Sequence, residues 1–125
     1  MKQFFEVNLY IDWTERGWTA TLRDVMKTKK AGEITGSIEK SKDGIKVFQI
    51  DNSELEPGHQ GKGIGLLMYE LTIKRILELY DEVEFRSSLT LNDHSKSTWK
   101  ALERKYYNVE LTGKYYTVKR TRSIL

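Results

Sequence analysis

The stretch ELEPGHQGKGIGLLMYELTIKRILELY, residues 54–80, constrains the fold more than any other part of the sequence. Four of the chain's nine glycines (Gly58, Gly61, Gly63 and Gly65) fall inside it, at the mouth of a long apolar run. After Gly65, apolar residues stand at 66, 67, 68, 71, 73, 76, 77, 79 and 80. That is a helical period covering more than half of the wheel, so the helix is expected to be buried on more than one side. A strand, a short glycine-rich loop and then a helix is the layout of an anion site. The first N–H groups of a helix have no internal partner, and the helix dipole adds about half a positive charge there. Glycine lets the backbone bring those N–H groups against a phosphate without a Cβ in the way. Gly61, Gly63 and Gly65 alternate with Lys62 and Ile64. Ile64 is expected to anchor the loop in the core, and Lys62 to add charge beside the phosphates. A turn that only reverses the chain accounts for one or two glycines, not for this alternation at a helix start.

Two phosphate loops fail on spacing. A Walker A loop needs Lys and then Ser or Thr after its last glycine, whereas Ile64 follows Gly63 here. A dinucleotide fingerprint needs G-x-G-x-x-G in a parallel βαβ unit. Here the spacing is G-x-G-x-G and the upstream strands read as hairpins.

The first half of the chain has a two-residue period. QFFEVNLYI (3–11) puts Phe5, Val7, Leu9 and Ile11 on one face, and WTATLRDV (18–25) follows after the turn WTERG. GEITGSIEK (32–40) and GIKVFQIDNSEL (44–55) are two further strands, joined by SKDG. Beyond the long helix, EVEFRSSLTL (82–91) reads as a strand. DHSKSTWKALERKYY (93–107) reads as a helix capped by Asn92 or Asp93, and VELTGKYYTVKR (109–120) as a hairpin. The order β-β-β-β-α-β-α-β-β predicts one α+β domain over residues 1–125, with a mixed, mostly antiparallel sheet and two main helices.

Composition narrows the function classes. There is no cysteine, hence no disulfide framework, thiolate metal site or thiol nucleophile. No run of about 20 apolar residues is present to span a membrane. The N-terminus lacks the apolar block of a signal peptide, so a cytoplasmic protein is expected. The net charge of +3 suits an anionic ligand without singling out nucleic acid. The basic clusters MKTKK (26–30) and KRTR (119–122) read as a solvated loop and tail. His59 and His94 are the only histidines, without companions for a metal site.

LEPGHQGKGIG resembles the acyl-coenzyme A pyrophosphate loop of the GNAT (GCN5-related) N-acetyltransferases. Leu55, Pro57, Gln60, Gly61, Gly63, Ile64 and Gly65 match that pattern in register. LNDHSKSTWKAL resembles the family's second cofactor segment, in which an Asn opens a helix one strand downstream. The resemblance spans residues 32–107. It implies acetyl-CoA as co-substrate, held by Leu55, Gln60, Gly61, Lys62, Gly63, Ile64, Gly65, Asn92 and Ser95, and an amine-bearing acceptor. One departure stands out: the family sets two helices between the first two strands, where this chain has only DWTERG. The acceptor side is then open, or walled by MKTKKAG or by a second subunit in a homodimer. An open site favours an exposed amine on a macromolecule, a protein included.

The implied reaction is direct attack of the amine on the thioester, which needs no protein nucleophile. Holding a free lysine neutral at pH 7 costs about 4–5 kcal/mol, and a carboxylate acting through water lowers that barrier. Asp51 and Glu54, on the strand that runs beside the thioester, are the candidates. In the family a Tyr seven residues after the segment's Asn protonates the leaving thiolate. Counting from Asn92 gives Trp99, which is no acid and reads as a core or rim aromatic. Tyr106 or Tyr107 is the substitute if the helix end folds toward the site. Two other functions compete. One is a non-catalytic acyl-CoA-binding or macromolecule-docking module on the same fold. The other is a nucleic-acid binder stacking bases on Trp13, Trp18 and the late tyrosines, disfavoured by 21 basic against 18 acidic residues.

Overall fold

Alternation in the first half of the chain becomes four consecutive antiparallel strands. The computed structural model describes residues 4–26, 28–59, 63–80, 82–88, 93–105, 109–112 and 115–120. Strands β1 (Phe5–Ile11), β2 (Gly17–Asp24), β3 (Lys29–Lys40) and β4 (Lys46–Leu55) lead to a 3-10 turn (Pro57–His59). Helix α1 (Ile64–Leu79), strand β5 (Val83–Arg86), helix α2 (Asp93–Lys105) and strands β6 (Val109–Thr112) and β7 (Tyr115–Arg120) complete the order. The seven strands form one sheet in the order β1-β2-β3-β4-β5-β7-β6, in which only β4 and β5 are parallel. This is the α+β architecture and element order expected.

The core lies between one face of the sheet and the two helices. Trp18, Ala20 and Leu22 of β2, Ile34 of β3, Phe48 and Ile50 of β4 and Phe85 of β5 face Met68, Ile73 and Ile76 of α1 and Trp99 and Leu102 of α2. Burial of such side chains contributes about 1.5–3 kcal/mol each relative to exposure. α1 buries one broad stripe of Ile64, Met68, Tyr69, Thr72, Ile73 and Ile76, while Leu79 stays exposed. Leu66, Leu71, Leu77 and Tyr80 are half-buried against the same core, so the burial is as broad as the apolar period implies. The β1–β2 hairpin turns without an intervening helix, and Asp12 N–H donates to the Gly17 carbonyl at 2.9 Å.

Three boundaries differ from the sequence reading. β3 begins at Lys29, because Lys29 and Lys30 pair with Asp24 and Arg23, so the expected MKTKKAG loop is largely strand. β5 stops at Arg86, short of the expected Leu91. α1 begins at Ile64, inside the glycine cluster. No helix among the described residues is long and apolar enough to cross a membrane.

Candidate functional site

β4 and β5 are paired for only part of the length of β4. The parallel register joins Lys46–Gln49 to Val83–Arg86 and goes no further. Beyond Gln49, the ladder of β4 among the described residues is the one with β3. Just past β5, Ser87 stays bonded to β7. Ser87 N–H donates to the Tyr116 carbonyl at 2.9 Å, and Tyr116 N–H donates to Ser87 Oγ at 2.8 Å. The last link across the opening is a side chain: Gln49 Nε2 donates to the Ser87 carbonyl. The result is a wedge between β4 and β5, with one edge of β4 beyond Gln49 left outside any ladder among the described residues.

A bulge sits at the mouth of this wedge. Gly36 pairs with Ile50 and Thr35 with Asn52, so Asp51 is the extra residue on β4. Bulges re-aim side chains and increase local twist, and they gather beside active sites. Asp51, Asn52 and Glu54 are exposed, and Glu54 lies opposite Glu33. Ser53 and Leu55 point the other way, toward the helices: Ser53 meets Tyr69, and Leu55 lies against Gly32 and Gly65.

β4 then delivers the chain to the start of α1. Glu56 N–H donates to the Ala31 carbonyl at 2.8 Å, and His59 N–H to the Glu56 carbonyl at 2.9 Å, closing the 3-10 turn. His59 is buried, with Nε2 3.3 Å from Asp24 Oδ2 of β2 and its ring edge-on to Phe5. This pair ties the loop to the first hairpin. Gly63 precedes the helix in the left-handed region (φ 74), where a side chain is strained, and a Cβ there would meet nothing within 4 Å. No side chain caps α1, and no acidic residue stands in its first turn. Ile64 is buried as expected and fixes the first turn to the core. Gln60, Gly61 and Lys62 lie outside the described residues, as do Asn92 and Tyr106.

Between the helix start and the wedge stands a tyrosine that sequence reasoning missed. Tyr69 is 4% exposed, and its hydroxyl lies 2.9 Å from Ser53 Oγ of β4 and also hydrogen-bonds Ser95 of α2. Burial pushes this hydroxyl above the ordinary phenol value, and the two serine hydrogen bonds pull the other way. Three elements thus converge on one hydroxyl, and Ser95, expected near the cofactor, is one of them. The signal available in the sequence was a tyrosine one turn into a glycine-led helix, with Ser53 on the strand before it. Trp99, at the position counted from Asn92, is fully buried. It lies edge-on to Tyr69 (5.6 Å between centroids) and stacks on Tyr116 at 10°. It is a core aromatic at the inner end of the wedge.

Among the described residues, the site offers helix amides without a side-chain cap at one end, a strand edge outside any ladder from Ile50 to Glu54, and a bulge carrying Asp51 at the other end, with Glu54 nearer the helix. Neither a family model nor a curated protein matches the sequence. Solved structures do match. A ribosomal-protein-alanine N-acetyltransferase from Brucella melitensis biovar Abortus 2308 superposes with a TM-score of 0.56 at 11% identity, over 88% of this chain and 96% of that one. A Bacillus subtilis acetyltransferase in complex with CoA gives a TM-score of 0.53 at 16% identity, over 96% and 99% of the two chains. The fold is that of the GNAT-type acetyltransferases.

Proposed function

We propose that this chain is an acetyl-CoA-dependent N-acetyltransferase that moves an acetyl group to a primary amine by direct attack on the thioester. The observation that carries the reading is the half-paired β4, with an uncapped helix start at its end. An extended, amide-bearing arm can add to a strand edge through main-chain hydrogen bonds. A diphosphate can end on the helix amides. In this reading Leu55, Gln60, Gly61, Lys62, Gly63, Ile64 and Gly65 hold the diphosphate end of CoA, and Asn92 and Ser95 flank the arm. Main-chain N–H groups of Asn52–Leu55 are the donors for the developing oxyanion. Asp51 at the bulge or Glu54 three residues further along β4, both exposed, takes the amine proton through water.

The acceptor is an exposed amine on a macromolecule. The first hairpin turns through Asp12–Arg16 without a helix, and Lys29 and Lys30 belong to a strand, which supports an open acceptor side. The similarity to an enzyme whose name states a protein substrate is in keeping with that choice. The test is incubation with labelled acetyl-CoA and a mixture of peptides, proteins, polyamines and aminoglycosides, followed by mass spectrometry and thiol release. Transfer to peptide or protein amines is expected. Asp51→Asn and Glu54→Gln are expected to lower kcat, the one that serves as base by about 10²-fold or more, without weakening CoA binding.

A second reading is favoured by one observation. Trp99 is buried at the position that the family gives to an acidic tyrosine. A binder of acyl-CoA without turnover fits that substitution. Tight binding of acetyl-CoA with no thiol release above hydrolysis would select it.

A further inference from the structure

The two edges of the sheet are unlike. β6 ends one side with four residues, whereas β1 ends the other with seven, FEVNLYI. An edge strand presents a row of unpaired N–H and C=O groups, which proteins blunt with short strands, Lys, Pro, bulges or a covering element. β1 contains no Lys, Pro or Gly, and its register with β2 runs unbroken from Phe5–Asp24 to Ile11–Trp18. Val25 N–H donates to the Phe4 carbonyl and Asp12 N–H to the Gly17 carbonyl, both at 2.9 Å. Bonded pairs alternate along an antiparallel ladder, so the even-numbered residues of β1 turn their main-chain groups toward β2. The N–H and C=O groups of Phe5, Val7, Leu9 and Ile11 therefore point outward, where no further strand among the described residues meets them.

Side chains single out the same hairpin. Of the large apolar residues that stand exposed among those described, all but Leu79 belong to it or its ends: Phe4, Tyr10, Trp13, Val25 and Met26. Phe5, Val7, Leu9 and Ile11 form the row on the core face and are half-buried. Glu6 is the single charged side chain of β1. The wedge between β4 and β5 lies three strands away, so this edge is separate from the site described above.

We propose that β1 pairs with β1 of a second copy of this chain, giving a two-fold dimer with one continuous sheet. The occupant follows from the strand being complementary to itself. Laid antiparallel on its copy about an axis at Asn8, β1 sets Phe5 opposite the partner's Ile11 and Val7 opposite the partner's Leu9. Each of these pairs exchanges both bonds of its outward groups. On the core face the two apolar rows join into one. On the other face Glu6 meets the partner's Tyr10, and Asn8 meets the partner's Asn8. No like charges are opposed, as they would be with the axis at Glu6, where direct opposition is unfavourable.

Mass and cross-linking test it together. Sedimentation velocity of the full chain is expected to give twice the chain mass of 14.7 kDa at about 100 μM, a concentration that fills a micromolar dimer. A monomer there overturns the proposal. The chain contains no cysteine, so single cysteines report the register. Asn8→Cys stands at the axis, where facing Cα atoms of a pair without main-chain bonds lie about 4.5 Å apart and a disulfide can close. Mild oxidation is expected to cross-link Asn8→Cys with itself. Glu6→Cys and Tyr10→Cys are expected to cross-link when mixed with each other and not alone. No cross-link in Asn8→Cys, or equal cross-linking of all three alone, overturns the proposal. Tyr10 is exposed, so a charge there leaves the fold of the monomer intact. Tyr10→Glu sets two like-charge pairs across the axis and is expected to raise the dimer Kd about tenfold or more, whereas Tyr10→Lys, opposite the partner's Glu6, leaves it within about threefold. A Tyr10→Glu dimer within about twofold of the parent affinity means that another surface holds the copies together, and overturns the proposal.

Discussion

Gly63→Asp separates folding from cofactor binding. Gly63 sits at φ 74 with open space where a Cβ would go. A left-handed conformation costs an ordinary residue about 1–2 kcal/mol, least for Asn and Asp. A carboxylate at a helix start returns about 0.3–1 kcal/mol through the dipole. The net loss of stability is therefore about 1 kcal/mol or less, and the drop in Tm about 6 °C at most. Binding responds differently. A diphosphate on the first-turn amides would lie about 5 Å from the new carboxylate. At an effective dielectric of about 20, each unit-charge pair at that distance costs about 3 kcal/mol. With two phosphate charges, and with solvent and salt removing more than half, about 2–3 kcal/mol remains. That is about a 30- to 150-fold rise in Kd. Calorimetric titration with CoA, beside a thermal melt of the same sample, measures both quantities. A folded variant whose affinity stays within about threefold of the parent would refute the helix-amide site.

Three further variants test the scaffold. In Gly36→Ala the new methyl overlaps the Gln49 carbonyl and the Trp18 ring, so a loss of about 3 kcal/mol is expected, and an unchanged Tm would contradict the packing described. Tyr69→Phe removes the hydroxyl shared by Ser53 and Ser95, at about 1 kcal/mol near neutral pH. Because burial raises the pKa of Tyr69, its contribution is complete below a pH of about 10 and lost above it. The gap between parent and variant in denaturant unfolding should therefore hold steady up to about pH 10 and shrink above it, and a gap that stays constant there would count against the buried hydroxyl. His59→Ala removes the partner of Asp24 and the ring against Phe5, so about 2–3 kcal/mol of stability and part of the CoA affinity should be lost together. Normal affinity in that variant would show that the turn does not steady the loop.

The order of elements was legible because each segment keeps its own period, and the presence of a helix start within the glycine cluster because three glycines alternate there, although its first residue was placed two positions late. What escaped the sequence depends on distant partners. VEFRSSLTL reads as one strand to Leu91, but Ser87 leaves the ladder. Its carbonyl takes the Gln49 side chain, 38 residues away, and its hydroxyl takes the Tyr116 N–H, 29 residues away. The bulge at Asp51 has no local signature, since it exists only as a register against Thr35 and Gly36. Tyr69 lies on the buried stripe of α1 like any core residue, and becomes part of a site only because Ser53 and Ser95 converge on its hydroxyl. Lys29 and Lys30 looked like loop because of their charge, yet lysine does not break a strand, and two pairing partners suffice to extend β3.

The wedge opens directly above the most heavily braced level of the sheet. Trp18 Nε1 donates to the carbonyls of Ser37 and Gln49, tying β3 to β4, and the absent Cβ of Gly36 makes room for that indole. The Gln49 side chain then ties β4 to the end of β5. Among the described residues, β4 is laddered on one side from Ile50 to Glu54, so that edge extends from a rigid base rather than from a frayed end. From Ile50 to Glu54 that edge runs about 13 Å at about 3.3 Å per residue. A ligand satisfying both ends must be long and extended, with anionic charge at the helix start and its reactive group at the bulge. Inorganic phosphate reaches only the amides, and a short thioester such as S-acetyl-N-acetylcysteamine reaches only the wedge. Each recovers one part of the binding energy, so neither should displace CoA except at concentrations far above those of the full carrier.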